Sequence, residues 1–253
     1  MFLIRVQDTK PITDATFLFK QFINEKADLG FNRNSFSIIA SNPSLRFIAR
    51  FYISKKYCQD FFINQTHIAK ISLPSFSDAI MTAAATRFDT MSITLPSPYK
   101  MTLTFEISTP PGRVPRSNSR ALPLSPTQAM DFGRPLLSKH FTIKPECFRH
   151  ILTELPNSQD LVCVTPTTSE VKFSHESKEV ILTPEAGQCT TVGYEGCVDT
   201  QFKIVLHPRT FFFDLSFKTC TSIWFCRTSN SGSVMAVQSS RFHAIYYIHF
   251  PPT

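Results

Sequence analysis

The chain has 253 residues, 42% of them hydrophobic and only 7 of them glycine, which excludes collagen-like and low-complexity classes and leaves room for one large domain or two ordinary ones. Its 26 Lys and Arg against 19 Asp and Glu give a net charge of +7, which suits a polyanionic partner and equally an ordinary basic protein. The seven cysteines, at 58, 147, 163, 189, 197, 220 and 226, form no CxxC pair, so no zinc site and no tidy disulfide framework is expected, but reduced thiols in a cytosolic or nuclear protein.

The opening segment "MFLIRVQDTKPITD" is apolar for a few residues and then charged, and is read as neither a signal peptide nor a membrane span. The first helix is expected in "PITDATFLFKQFINEKA", with Asp14 as N-cap and Ala15, Leu18, Phe19 and Phe22 on one face. Strands follow in "SFSIIAS" and "LRFIARFYI", both rich in β-branched and aromatic residues. Asn64 opens a glycosylation sequon, read as chance in a chain with no secretion signal. A second helix begins at Pro74, with Phe76, Ile80, Ala83 and Ala84 on its apolar face, and "MSITL" and "MTLTFEI" are strands.

From Ser108 to Pro135 the character changes. This stretch holds six of the 18 prolines and few long apolar runs, with one short strand expected around Ser119–Leu124. It is the natural boundary and divides the chain into 1–117, a connector at 118–135, and 136–253. Beyond it, "KHFTIKPECFRHILTEL" reads as a strand entering a helix at Pro145. Phe148, Ile151, Leu152 and Leu155 lie on one face there, while Arg149 and His150 lie off it. Strands are expected in "LVCVTP", "EVKFSHES", "KEVILTP" and "TQFKIVL". A fourth helix follows Pro208 with Phe211, Phe212 and Leu215 inward, then strands "SIWFCRT", "SVMAVQS" and "HAIYYIHF". Three of the helices thus open with proline followed within three residues by phenylalanine, and the order of elements suggests a repeated unit.

Three stretches then resemble eukaryotic DNA sliding clamps, the family of proliferating cell nuclear antigen and of the checkpoint-clamp subunits. They are "FRHILTELPNSQDLVCVTPTTSEVKFSHESKEVILT" (148–183), "LTFEI" before the connector, and "IYYIHFPP" near the end. The resemblance covers nearly the whole chain and rests on order and spacing more than identity. It implies an α+β clamp fold of two similar domains, each with two helices packed on antiparallel sheet, forming part of a three-subunit ring. It implies a non-catalytic nuclear protein that encircles double-stranded DNA without reading its sequence, with no cofactor, no metal and no membrane.

By position, Lys20, Arg149, Arg209 and Lys218 match basic hole-lining residues, with Arg87 and His150 as further candidates; such contacts to phosphates carry no sequence information. Asp78 and Met81 depart from the family pattern, which carries lysines there. Partner proteins of the family dock short peptides. The matching positions are Ala40, Leu45, Phe47, Met130, Phe132, Pro135, Tyr247 and Pro251, which read equally as ordinary core and loop residues. Subunits of the family join through edge strands, here Ser119, Leu122 and Leu124 on one side and Lys178, Val180 and Leu182 on the other. The basic net charge and the proline- and arginine-rich connector favour a checkpoint-clamp subunit that assembles with two different partners. A divergent replicative clamp forming a homotrimer is the alternative. Either would meet a clamp loader and repair, polymerase or checkpoint proteins. Two rivals remain: a β-rich interaction scaffold, and an enzyme using Cys147, in the first turn of a helix, with His150.

Overall fold

Alternation is the plainest instruction in this sequence. In Ile48–Ser54 the side chains of Ala49, Phe51 and Ile53 are buried while their neighbours are not, the period-two pattern of a strand with one covered face. The same logic shapes most of the chain in a computed structural model, which describes residues 2–23, 25–85, 88–107, 116–195, 201–219, 221–239 and 244–252. It is a mixed α+β protein with four helices among the described residues and mostly antiparallel sheet.

The chain divides into two compact units, Met1–Ala40 with Phe51–Met130, and Ser41–Arg50 with Asp131–Thr253. The first contains β1 (Phe2–Val6), α1 (Lys10–Lys20), β2 (Lys26–Asn32), β3 (Ser35–Ser41), β4 (Ile48–Ser54), β5 (Asp60–Ile63), β6 (His67–Ser72), α2 (Leu73–Ala85), β7 (Thr90–Ser97), β8 (Lys100–Ile107), β9 (Arg116–Pro123) and β10 (Ser125–Pro126). The division falls within β4. The strands run in the orders β5-β1-β7-β8-β9 and β10-β6-β2-β3-β4.

The second unit contains β11 (Pro135–Ile143), α3 (Pro145–Glu154), β12 (Val162–Pro166), β13 (Val171–His175), β14 (Lys178–Leu182), β15 (Cys189–Val192), β16 (Phe202–Ile204), α4 (Arg209–Ser216), β17 (Ile223–Thr228), β18 (Ser233–Gln238) and β19 (Ala244–Phe250). Its strand orders are β15-β11-β17-β18-β19 and β16-β12-β13-β14. Apart from β10, both units therefore follow one plan: strand, helix, five strands, helix, three strands, with the strands arranged in the same order.

The helix faces read from the sequence are the buried ones. Leu18 and Phe19 of α1, Phe76 and Ile80 of α2, Phe148, Ile151 and Leu152 of α3, and Phe211, Phe212 and Leu215 of α4 are all at most 2% exposed. In the second unit aromatic rings build the interior. Phe141 stacks on Phe225 at 4.8 Å, Phe173 and Phe202 meet Phe141 edge-on, and Phe148 lies within 6.5 Å of both Phe225 and Phe212. Offset and edge-to-face rings at these spacings add to what their burial contributes.

Two expectations need correction. Helix α1 starts at Lys10 with Thr9 as its cap residue, so Asp14 is no cap but an interior residue bonded to Lys10 at 3.1 Å. Pro11 explains the earlier start: it sits in the first turn, where a missing N–H removes no intrahelical bond. All four helices therefore begin at or beside a proline. The strand expected around Ser119–Leu124 is present but its bounds differ. Arg116–Pro123 is an eight-residue strand paired with β8, and Ser125–Pro126 pairs with β6.

Candidate functional site

The basic residues read from the helices fall into two groups. In the first unit Lys20 is exposed at the end of α1, and its ammonium lies 4.0 Å from Asp78 on α2. The acidic residue that departs from the clamp pattern thus partly offsets the lysine that fits it. Arg87 lies outside the described residues.

In the second unit α3 and α4 pack against each other and carry Arg149, His150, Arg209 and, just past the last turn, Lys218. The Arg149 guanidinium lies 4.5 Å over the Phe217 ring and donates to Ser216 Oγ at 3.4 Å. Arg209 donates to the Leu155 carbonyl, and His150 Nδ1 is 3.8 Å from Glu154. Phe213 and Phe217, which meet edge-on at 5.3 Å, are exposed beside these cations. The helix surfaces are thus a mosaic of charge and aromatic rings.

The edge strands are present as unpaired edges within each unit. Among the described residues β9 pairs only with β8 and β14 only with β13. Ser119 and Lys178 are exposed there, whereas Leu122, Leu124, Val180 and Leu182 are at most 8% exposed and point into their own unit. An edge offers its backbone groups to a partner strand, so inward side chains are compatible with strand addition but supply no contact surface themselves.

The residues read as a peptide groove separate into core and surface. Ala40 and Phe47 are at most 1% exposed and belong to the interior. Phe47 stacks on Phe211 at 5.6 Å and meets Phe212 at 5.3 Å and Phe250 at 6.3 Å, so no docked peptide reaches it. Leu45 and Met130 are half-buried and Pro251 is exposed. Pro135 and Tyr247 do meet, in an apolar cavity of about 280 Å³ on the face of β11, β17, β18 and β19. Leu137, His140, Trp224, Cys226, Val234 and Ala236 are also among its walls, none of them singled out from the sequence. The chain's only Trp, Trp224, is 41% exposed and stacks on His140 at 4.9 Å. The signal was in the strand itself. In "SIWFCRT" Ile223 and Phe225 turn inward, so Trp224 must turn outward, and an outward tryptophan marks a surface with a use.

Phe132 reaches the same unit from the connector. Its ring lies 4.5 Å from that of His249, and the Arg50 guanidinium lies over the Phe132 ring, 5.6 Å from its centroid. The segment is tied down locally: Asp131 accepts from the Gly133 amide at 2.9 Å, Arg134 N donates to Ser229 Oγ at 2.9 Å, and Ser229 N donates to Arg134 O at 2.8 Å. Gly133 has φ +65°, and a Cβ there would stand 2.6 Å from Asn230 Oδ1, so both the turn and the space require glycine. His249 beneath is buried with neither ring nitrogen hydrogen-bonded among the described residues, and burial, with Arg50 adding to it, pushes its pKa down to about 4.

The cysteine rival meets an unfavourable site. The Cys147 thiol is pushed up, first by burial and then by Glu146, the reverse of what an activated nucleophile requires. Among the described residues no three His, Cys, Asp or Glu side chains gather as metal ligands, and no helix is long and apolar enough to cross a membrane. No protein-family model matches the chain, and no curated protein matches it.

Proposed function

We propose that this protein is a non-catalytic subunit of a DNA sliding clamp, of the nuclear checkpoint type that assembles with two different partner subunits to encircle duplex DNA. The observation that supports it best is the doubled plan. Two units share one order of elements and one order of strands, each with a helix pair and each with an unpaired edge strand. A ring closed by strand addition needs such edges, and a repeated unit lets a few subunits complete a circle. The apolar cavity around Trp224 then serves to dock partner peptides.

The test is co-expression with candidate clamp subunits followed by native mass measurement. A stable hetero-assembly is expected. A homotrimer would move the reading to a replicative clamp, and a monomer that ignores both DNA and clamp subunits would refute it. One observation favours the scaffold reading instead: Lys20, Arg149 and Arg209 all have partners within the chain. Replacing Lys20, Arg149, Arg209 and Lys218 with alanine should lower the slope of log affinity against log salt by roughly one unit per lost phosphate contact, for any DNA sequence. An unchanged slope would leave a scaffold that does not hold DNA through its helices.

A further inference from the structure

A second pocket, distinct in chemistry from the apolar one, lies at the end of the same strands. It has a volume of about 270 Å³ and is lined by Gln201, Lys203, Arg227, Ser231 and Ser233, with Pro251 and Pro252 beside them. Its polar side chains are an ammonium, a guanidinium, two hydroxyls and an amide, and no carboxylate lines it among the described residues. Lys203 and Arg227 are exposed and make no ion pair or side-chain hydrogen bond among the described residues. Two cations of like sign held near one pocket without a counter-charge repel each other, an arrangement that an anion relieves.

We propose that this pocket binds the phosphate of a phosphorylated serine or threonine carried by a docked partner polypeptide. A phosphate monoester brings close to two negative charges and three acceptor oxygens. The Arg227 fork and the Lys203 ammonium answer the charge, and Ser231, Ser233 and Gln201 can donate to the remaining lone pairs. The ladder fixes where such a residue would sit relative to the apolar anchor. Cys226 faces Val234 across β17 and β18, and both line the apolar cavity; the next pair along, Arg227 and Ser233, points to the opposite face of the sheet and lines the polar one. The two pockets therefore lie on opposite faces of the sheet, and a phosphorylated residue reaches Arg227 without occupying the apolar cavity. The phosphate site therefore does not rest on the docking role proposed above.

The experiment uses the full chain, ¹⁵N-labelled, titrated with N-acetyl-O-phosphoserine N-methylamide, the unphosphorylated serine analogue, the aspartate analogue, inorganic phosphate and a short DNA duplex. The phosphoserine probe should shift the Gly232 and Ser233 amides saturably, and the serine analogue should not. Lys203→Ala combined with Arg227→Ala should weaken the phosphoserine probe by about tenfold or more, as expected for losing charge-assisted bonds. Trp224→Ala should leave that binding unchanged, so failure of the apolar docking role is read separately. The proposal is overturned by shifts that persist in the double variant, by equal binding of the aspartate and phosphoserine analogues, or by duplex DNA displacing the probe from these amides.

Discussion

Acidification should destabilise the second unit through one imidazole. His249 is 9% exposed, lies against Phe132 and finds no hydrogen-bond partner for either nitrogen among the described residues. Its pKa is lowered from 6.5 to about 4, by burial first and by Arg50 second. The sign follows from proton uptake. Above pH 6.5 the imidazole is neutral in both folded and unfolded chain and contributes no pH dependence. Between pH 6.5 and 4 the unfolded chain takes the proton that the folded site refuses, so stability falls with pH. Below 4 the loss is complete, at about 3 kcal/mol if each pKa unit is worth about 1.4 kcal/mol. Carboxylates titrate in the lower part of this window too, so the quantity to read is the difference between the wild type and His249→Leu. Urea unfolding followed by Trp224 fluorescence at pH 7.5, 6, 5 and 4 gives that difference in the unit that holds both residues. Relative to the wild type, His249→Leu should gain about 3 kcal/mol between pH 7.5 and pH 4. A difference that stays constant with pH would refute the reasoning.

Phe47→Ala should cost about 3–5 kcal/mol in the same unfolding assay, because it empties a site closed by Phe211, Phe212 and Phe250; a loss under 1 kcal/mol would place Phe47 on the surface after all. Asp28 is buried, and burial raises its carboxyl pKa against the opposing pull of Lys70 and Thr127, so its ionised form opposes folding at neutral pH. Asp28→Asn should therefore raise the melting temperature at pH 7, and the gain should vanish as the pH falls below the unfolded carboxylate range; a lower melting temperature at pH 7 would mean that the Lys70 attraction outweighs burial. The thiols of Cys58 and Cys226 are pushed up to about 12 and about 11 by burial, so iodoacetamide at pH 8 should alkylate both far more slowly than a free cysteine, as mass spectrometry would read.

Periodicity made the helices and their buried faces legible, because four residues at 3.6-residue spacing must share a side. The start of α1 was not, since Asp14 satisfies the rule for a cap and Pro11 satisfies the rule for a first turn; only the structure shows which prevailed. β2 escaped because Asp28 and Gly30 interrupt an apolar run, yet Gly30 is there for the fold: a Cβ would stand 2.6 Å from Ser37 Oγ on the paired strand. Of β9 only the part from Ser119 onward was legible, because only Leu122 of its eight side chains is buried, which leaves little alternation to see. Of the candidate site, Pro135 and Tyr247 line one cavity while Phe47 lies in the interior, because resemblance gives a place in the order but not the direction of a side chain. The Lys20–Asp78 pair joins two helices that no local pattern connects.

The doubled plan has a consequence for how the chain reaches its native state. Two units with the same strand order offer each nascent strand a second berth of matching topology, and exchange between repeats is a characteristic misfolding route. The interiors work against it. Where the first unit inserts Ile4, Met91 and Ile93 from β1 and β7, the second inserts Phe141, Ile143, Ile223 and Phe225 from the corresponding β11 and β17. A strand that docked in the wrong half would push a stacked phenyl ring into space shaped for aliphatic side chains, or leave a void where a ring belongs. Divergence between the two cores thus acts as proofreading during folding, and a chain whose halves were engineered toward a common core would refold more slowly and with lower yield.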